Sequence, residues 1–355
     1  MVVLHIAHIA DNPFSGVAVA VPQHVKAQQQ FAKVGLVNLD GRQIDGIENQ
    51  FFCDKEFSFS ALPEPFCTPN LIVFHEVYRP AFLKLYKRAR KAGVPYIVIP
   101  HGCLTKEAQR KKWLKKVCAN LLVFNAFLKN AAAIQFLSQR ECCNSDFGKK
   151  KIIGPNGVFM PAERKQAFGN ETVNIIFIGR MEVAVKGLDL LVRAIGEIAD
   201  SLRDDKVSFS LCGPDRMNGR EYLQGLIDQV GVGDLVELSD AVVGERKEAE
   251  LLNADIFIQT SRTEGMPMGI LEALSYGVPC LVTRGTTLGE IIEEYDAGWV
   301  AETNAQSIAD VLLKALREKD HWEEKSRNGV KMVEENFLWS KVAENTLREY
   351  EEILR

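Results

Sequence analysis

The first 156 residues alternate short apolar runs with longer polar or basic segments. Val2–Ala7 predicts a buried strand, followed by a turn-rich segment and a helix-like stretch to about Lys33. Leu71–Phe74 and Tyr96–Ile99 are two further compact apolar runs, with basic helical sequence between them. Because strands alternate with helices, the pattern indicates a parallel sheet with crossover connections.

The same alternation restarts after a Gly-Pro-Asn-Gly turn and a polar connector that ends near Thr172. Val173–Ile178 and Val207–Cys212 predict strands, and Leu188–Leu202 predicts a helix between them. We therefore expect an α/β fold of two Rossmann-like domains, at 1–155 and 156–338, whose parallel sheets face a central cleft. Ligands of such sheets bind beyond the carboxyl ends of the strands.

Length and composition agree with two soluble domains. The chain has 355 residues, 46% of them hydrophobic and 25% charged, which excludes a disordered or fibrous class. Eight cysteines, two of them adjacent at Cys142 and Cys143 and none in a C-x-x-C pair, favour neither a disulfide framework nor a zinc site. No apolar run approaches the roughly 18 residues of a membrane span. A cytoplasmic protein is expected.

The net charge of −4 hides an asymmetry between the two halves. Residues 1–156 contain 21 Lys and Arg against 11 Asp and Glu, a net charge of +10, and the remainder carries −14. Arg79–Lys116 alone holds 12 basic residues and one acidic residue, Glu107. Such a stretch attracts phosphates, anionic lipid headgroups or nucleic acid.

The segment T-E-G-M-P-M-G-I-L-E-A-L, Thr263–Leu274, follows a predicted strand and leads into a helix. Its glycines allow a tight backbone path, and the free amides at the helix start suit a phosphate. Glu264 and Glu272 lie eight residues apart on this unit, and carboxylates are good acceptors for sugar hydroxyls. A Gly-rich turn with a solvated helix glutamate would give the same pattern, so the spacing alone leaves both interpretations open.

The segment F-I-G-R-M-E-V-A-V-K-G-L-D-L-L, beginning at Phe177, places two cations at the carboxyl end of a strand. Gly179 ends the strand, so Arg180 and Lys186 are expected near the cleft, where they could neutralise a departing diphosphate. A surface loop with incidental basic residues is the alternative.

Together, these segments resemble the retaining family-4 glycosyltransferases, which have the two-Rossmann-domain architecture called GT-B. The order P-N-G-V, G-R-x5-K-G, E-G-M-P-M-G-I-L-E and G-V-P-C-L-V-T carries the resemblance over most of Asn156–Leu354. The closing segment, about 339–355, resembles the family's terminal helix, which packs back on the first domain.

The resemblance implies a nucleotide-sugar donor, with a UDP-sugar favoured and a GDP-sugar as the alternative. Glu264 would contact donor-sugar hydroxyls, Glu272 the ribose hydroxyls, and Arg180 and Lys186 the diphosphate. The base would lie near strand ends. The remaining implied donor contacts are Gly179, Gly213, Val243, Gly265, Met266, Pro267 and Met268.

The N-terminal half resembles the family less closely. The usual glycine-rich turn after the first strand is reduced to Ser15-Gly16, where Gly16 could still approach the donor or acceptor. In I-P-H-G-C-L, His101 corresponds to the family's histidine near the donor sugar, although a lone histidine could equally make a structural hydrogen bond. One residue of His75-Glu76, directly after a predicted strand, could position an acceptor hydroxyl, or both could belong to a plain loop.

The implied mechanism is transfer with retention, with His101, Arg180, Lys186 and Glu264 as the catalytic set. The departing phosphate oxygen would take the acceptor proton, and catalysis would be mainly electrostatic. No D-x-D motif follows a strand, so we expect no metal and no further cofactor.

The basic stretch Arg79–Lys116 includes Trp113 and Leu114 among lysines, a composition typical of an interfacial helix. It could contact the inner face of a membrane or a lipid-linked acceptor, or be a solvated basic face. Nucleic acid is not expected as a partner, because no recognition motif accompanies the charge.

The expected activity is transfer of a sugar to a glycan or lipid-linked acceptor in surface polysaccharide synthesis. Two alternatives stay open: a sugar-nucleotide 2-epimerase and a non-catalytic nucleotide-sugar-binding protein. A dinucleotide-dependent dehydrogenase is disfavoured, because neither half has G-x-G-x-x-G after its first strand.

Overall fold

A computed structural model describes residues 1–12, 15–53, 57–110, 120–168 and 171–355, and the side chains of 121 and 122 are outside the description. It separates the chain into two compact units. Unit 1 comprises Met1–Gly157 and Trp339–Arg355, and unit 2 comprises Val158–Leu338.

Unit 1 is built on a seven-stranded sheet in the order β3-β2-β1-β4-β5-β6-β7. Each neighbouring pair of strands is parallel. The strands are β1 Val2–Ala7, β2 Lys33–Asn38, β3 Gln50–Phe52, β4 Leu71–His75, β5 Tyr96–Ile99, β6 Ala133–Phe136 and β7 Lys151–Ile153.

Helices of unit 1 connect these strands. They are α1 Gly16–Gln29, a 3-10 turn Phe59–Ala61, α2 Pro80–Lys91, α3 Lys106–Arg110, a π turn Asn120–Phe124, α4 Asn125–Lys129 and α5 Gln139–Cys143. The strands β4 and β5 are buried along their whole length, as expected for a parallel sheet covered on both faces.

Unit 2 is built on a six-stranded sheet in the order β10-β9-β8-β11-β12-β13, again with parallel neighbours. Its strands are β8 Val173–Ile178, β9 Val207–Cys212, β10 Val236–Ser239, β11 Ile256–Gln259, β12 Cys280–Thr283 and β13 Gly298–Ala301. The order reverses at β8, where the first and fourth strands of the unit are neighbours. Sites in such sheets form at this reversal.

The helices of unit 2 pack on its sheet through their buried apolar side chains, and the last helix given below belongs to unit 1. The helices are α6 Val183–Lys186, α7 Leu188–Glu197, α8 Ala199–Asp204, α9 Gly219–Val230, α10 Gly244–Asn253, α11 Met268–Ser275, α12 Gly289–Tyr295, α13 Ala305–Arg317, a 3-10 turn Lys319–His321, α14 Trp322–Asn336 and α15 Trp339–Leu354. Trp339, Val342 and Ala343 of α15 form a small apolar cluster with Ala27 of α1.

The α/β prediction is confirmed, with two local corrections. The helix-like stretch to Lys33 ends at Gln29, and Lys33 begins β2. The single helix predicted over Leu188–Leu202 is two helices, because the backbone leaves the helical region at Ile198, which has φ −124° and ψ 21°. Among the described residues, no helix is both long and apolar enough to cross a membrane.

Candidate active site

Glu264 and Lys186 meet just beyond the end of β11. The Lys186 ammonium donates to Glu264 Oε1, which also lies 3.4 Å from both Gln259 Nε2 and Ser261 Oγ. The two side chains are only 13% and 16% exposed. All these contacts reach one carboxylate oxygen, which holds the pair in place, and no hydrogen bond to Glu264 Oε2 is found among the described residues.

The backbone after Lys186 is pressed against β11. Gly187 ends α6 in the left-handed region at φ +64°, and a Cβ there would lie 2.1 Å from the carbonyl oxygen of Thr260. Thr260 Oγ1 donates to Gly187 O at 3.0 Å. Only glycine fits this close approach, which explains the K-G pair of the motif. The contact also fixes the backbone position from which the Lys186 side chain extends.

Arg180 follows β8 at a second close approach of two backbones. Gly179 N donates to Cys212 O at 2.9 Å, and a Cβ on Gly213 would lie 1.7 Å from Gly179 O. The Arg180 side chain is 44% exposed, and its nearest carboxylate, Glu182, is 3.8 Å away. Its guanidinium is therefore weakly engaged and available to an anion.

Glu272, in the second turn of α11, is paired with Lys247 of α10. Both side chains are partly exposed, at 24% and 26%. Val243, the N-cap residue of α10, is 54% exposed and precedes Gly244, which has φ +55°. Sequence reasoning missed Lys247, because nothing in the sequence around it distinguishes it from the other charged residues of α10.

The loop between β11 and α11 has free space beside Gly265, and α11 begins at Met268. A Cβ on Gly265 would meet no atom within 4 Å, and the Gly265 carbonyl accepts from Thr287 Oγ1 at 2.7 Å. Pro267 is the N-cap, and Met266 precedes it. The first amides of α11 have no acceptor within the helix, and such amides bind phosphate well.

Arg262 and Asp189 brace this loop and were also missed from the sequence. Arg262 Nη1 and Nη2 donate to the two Asp189 oxygens at 2.7 and 2.8 Å, and Arg262 N donates to Val185 O at 2.8 Å. Burial raises the pKa of the Asp189 carboxyl, but the hydrogen bond and charge of Arg262 outweigh it and lower that pKa. Arg262 could have been identified from the sequence by its position directly before the T-E-G segment.

In unit 1, His101 lies in the turn that follows β5. Its backbone has φ +48°, which is uncommon outside glycine and is characteristic of functional turns. Gly102 N donates to Glu141 Oε1 at 2.7 Å, and Leu137 N donates to Glu141 Oε2 at 2.8 Å, so one buried carboxylate holds the turn. Burial lowers the pKa of His101 to about 4, so its ring is neutral near pH 7.

His75 requires a correction. The sequence places it on a loop after the strand, whereas it is the last residue of β4 and fully buried. Its Nδ1 lies 3.0 Å from His101 Nε2. Gly16 is the first residue of α1, and a Cβ there would meet nothing within 4 Å. The predicted site residues thus form one group in unit 2 and another in unit 1.

A cavity of about 590 Å³ lies in unit 2 beside α6 and α9. Its lining includes Glu182, Arg216, Met217, Tyr222 and Arg262. None of the predicted donor residues lines it, so it is adjacent to the candidate site and separate from it.

The basic stretch is partly visible as helix α2. Lys84, Lys87, Arg90 and Lys91 are exposed on it, and none of these four forms an ion pair with a residue that the structure describes. The predicted interfacial residues Trp113 and Leu114 lie outside the described residues.

Residues 160–332 match the family described as glycosyl transferases group 1. An uncharacterised glycosyltransferase of Methanocaldococcus jannaschii is 30% identical over 177 residues, which cover 50% of this chain and 44% of that protein. An MMP alpha-(1->4)-mannosyltransferase of Mycolicibacterium hassiacum is 27% identical over 74% of this chain and 67% of its own length. The chain therefore spans less than half of the first relative.

The solved structure of Anabaena HepE in complex with UDP-glucose has the same fold, with a TM-score of 0.73 and 14% identity over 99% of this chain and all of that chain. The two parallel-sheet units thus form the GT-B fold, as predicted. Retention and membership of family 4 stay predictions.

Proposed function

We propose that this protein is a retaining hexosyltransferase that takes its sugar from a nucleotide-sugar, a UDP-sugar in preference to a GDP-sugar. The observation that carries the proposal is that Glu264 and Glu272, which lie on one loop–helix unit, pair with Lys186 and Lys247, respectively. Carboxylates offer acceptors for sugar and ribose hydroxyls, and the ammonium groups offer charge for phosphates. The HepE structure named above was solved with UDP-glucose, which supports a UDP-sugar.

The ion pair suggests how donor binding prepares the site. A diphosphate attracts Lys186 and Arg180, and the first amides of α11 bind the same charge. Lys186 then shares its charge with phosphate, which releases Glu264 Oε1 for the sugar hydroxyls. As the bond to phosphate lengthens, negative charge grows on the diphosphate, and these donors stabilise it more than the ground state.

His101 would lie near the donor sugar, and the departing phosphate oxygen would take the acceptor proton. No step in this scheme uses a metal or another cofactor. Gly179, Gly213, Gly265, Met266, Pro267 and Met268 would surround the donor, with Val243 beside the base and Gly16 near the phosphates or acceptor.

The proposed acceptor is a glycan or a lipid-linked sugar of surface polysaccharide synthesis, and the proposed place is the inner face of the cytoplasmic membrane. The exposed cations of α2 support contact with anionic headgroups. Relatives include a putative colanic acid biosynthesis glycosyltransferase from Escherichia coli, 32% identical over 39% of this chain.

The test is nucleotide release from a panel of UDP-, GDP- and ADP-sugars, first without an added acceptor. We expect one donor to be consumed, with release lowered at least about 100-fold in Lys186→Ala, since a lost transition-state contact of this kind costs that much. Glu272→Ala should lower it through weaker donor binding. Lys314→Ala, on the exposed pair with Glu318, is the matched control and should leave release unchanged.

The outcomes separate the alternatives. Change of the sugar without release of nucleotide would indicate a 2-epimerase. Binding without turnover, whatever acceptor is offered, would indicate a non-catalytic nucleotide-sugar-binding protein. No binding of any nucleotide-sugar would contradict the proposal.

A further inference from the structure

Unit 1 contains a continuous chain of buried polar side chains that starts at His101. His101 Nε2 lies 3.0 Å from His75 Nδ1, and His75 Nε2 lies 2.8 Å from His5 Nδ1. His5 Nε2 lies 2.8 Å from Gln28 Oε1. His5, His75 and Gln28 are fully buried, while His101 at the end of the chain is partly exposed.

The far end of this chain fixes the direction in which every hydrogen bond points. Thr346 Oγ1, on the C-terminal helix α15, donates to Val342 O at 2.8 Å and lies 3.1 Å from Ala343 O. Its single hydrogen is therefore used, and its oxygen can only accept from Gln28 Nε2, 3.1 Å away. The Gln28 amide nitrogen must then face Thr346, and its carbonyl oxygen must face His5.

Each tautomer follows from this orientation, because a neutral imidazole has one N–H and one lone pair. Gln28 Oε1 accepts, so His5 carries its hydrogen on Nε2 and accepts at Nδ1. His75 therefore donates from Nε2 and accepts at Nδ1, and His101 must donate from Nε2. Burial lowers the pKa of His5 to about 4 and that of His75 well below its ordinary value, so both rings are neutral.

We propose that His75, His5, Gln28 and Thr346 hold His101 in the Nε2–H tautomer, so that its Nδ1 lone pair accepts a hydrogen bond from a hydroxyl of the bound sugar. The four are positioning residues, because they act through His101. The proposal deepens the proposed function: the tautomers follow from unit 1 alone, and only the ligand rests on the glycosyltransferase activity. Among the described residues, no partner of His101 Nδ1 is found.

The chain sets a tautomer and does not carry protons to solvent. Proton transfer along it would stop at the amide oxygen of Gln28, which has no proton to pass on and lies in a contact between α1 and α15. The fixed tautomer of His101 would contribute to specificity for the sugar. An acceptor nitrogen favours a sugar that offers a hydroxyl and disfavours one whose matching position is deoxygenated.

The same histidines could be considered as metal ligands, since ring nitrogens of His5, His24 and His75 lie within 4.8 Å of one another. However, His24 Nε2 accepts from Gln28 Nε2 at 3.0 Å, and His5 and His75 are bonded to each other. The hydrogen-bond chain already uses these nitrogens, so a metal is the alternative outcome of the test.

The experiment is nitrogen NMR of ¹⁵N-histidine-labelled full-length protein at pH 7, which distinguishes a protonated ring nitrogen from an unprotonated one. His101, assigned by loss of its signals in His101→Asn, should be protonated at Nε2. In Gln28→Leu, His5 has no acceptor, and His101 should become a mixture of tautomers. Thr346→Val removes the hydroxyl that orients Gln28 and should shift His101 in the same direction.

Gln29→Leu is the matched control, because Gln29 is the neighbouring glutamine of α1 and its Nε2 donates to Val34 O, outside the hydrogen-bond chain. It should leave His101 as Nε2–H. With UDP-glucose as the probe, Gln28→Leu should lower the kcat/KM for nucleotide release about tenfold, the value of one hydrogen bond of this kind. Monodeoxy analogues should show that this loss disappears when one particular hydroxyl is absent.

Nδ1–H at His101 in the wild-type protein would overturn the proposal, as would an unchanged tautomer in both Gln28→Leu and Thr346→Val. A stoichiometric metal ion on the purified protein, whose removal by chelator shifts the His5 and His75 signals, would also overturn it. If UDP-glucose is not consumed by the wild-type protein, the tautomer measurement decides alone, so failure of the proposed function is seen separately.

Discussion

The two units hold their candidate residues by opposite means. In unit 2, Lys186 with Glu264 and Lys247 with Glu272 are ion pairs, whereas in unit 1 His101 is fixed by neutral rings and an amide. The net charges of the units do not reflect this difference, since unit 1 carries +9 and unit 2 carries −13. The charge of a whole unit therefore does not reveal the chemistry of its site, which depends on the few groups that face the ligand.

Unit 2 also holds an ion pair in its interior, away from the candidate site. Breaking this pair should have the largest effect on the free energy of unfolding. Lys165 Nζ and Asp255 Oδ1 are 3.1 Å apart with side chains 3% and 1% exposed. Lys165→Met leaves the buried Asp255 carboxyl without its cation, so the free energy of unfolding should fall by about 3 kcal/mol. Denaturant unfolding measures this.

Lys319→Met is the control, since its pair with Asp205 is exposed, and it should change that free energy by less than about 1 kcal/mol. Equal losses in the two variants would mean that burial of the pair has no energetic role.

Acid should affect unit 1 through its buried histidines. Their folded pKa values lie below the ordinary value, so the unfolded chain binds more protons and stability falls as the pH drops from about 6.5 towards 4. The pKa of His24 is lowered by burial and by the charges of His5 and His101, so His24→Phe should reduce this loss by more than about 1 kcal/mol.

Unfolding of both proteins by urea at pH 7 and pH 5 gives the comparison. His321→Gln, which removes an exposed histidine of unit 2, is the control. The account fails here if His24→Phe and His321→Gln change the pH dependence equally.

The smallest effect is expected from the exposed charge of α2. Each lysine near an anionic surface contributes about 1 kcal/mol, so Lys87→Gln should weaken binding to phosphatidylserine-containing vesicles by about fivefold. Lys87→Arg keeps the charge and should bind like the wild type. Sedimentation with vesicles at low salt checks this, and equal binding of wild type and Lys87→Gln would remove α2 from the proposed membrane contact.

Local pattern was sufficient to predict the fold class, but not every strand. β2 was not predicted, because its sequence, K-V-G-L-V-N, contains Gly35. Packing requires this glycine, since a Cβ there would be 2.9 Å from the rings of Phe51 and Phe66. β13 was not predicted for a similar reason: it contains Gly298, where a Cβ would lie 1.9 Å from Cys280 O. A glycine weakens a strand pattern even where tight packing requires it.

The candidate site divides in the same way. Arg180, Lys186, Glu264 and Glu272 stand in motifs whose residues are close in sequence, so they could be named in advance. Lys247, and the chain that joins His101 to Gln28 and Thr346, are brought together only by the fold. Gln28 and Thr346 are 318 residues apart, and no local pattern connects them.

A crystal structure with UDP-glucose tests the central claim most directly, since it shows which groups receive the diphosphate and which receive the sugar. The account predicts the diphosphate at Lys186, Arg180 and the first amides of α11, with Glu264 moved from Lys186 to sugar hydroxyls. It also predicts Glu272 on the ribose. A nucleotide bound away from these groups, or a Glu264–Lys186 pair unchanged beside a bound donor, would contradict it.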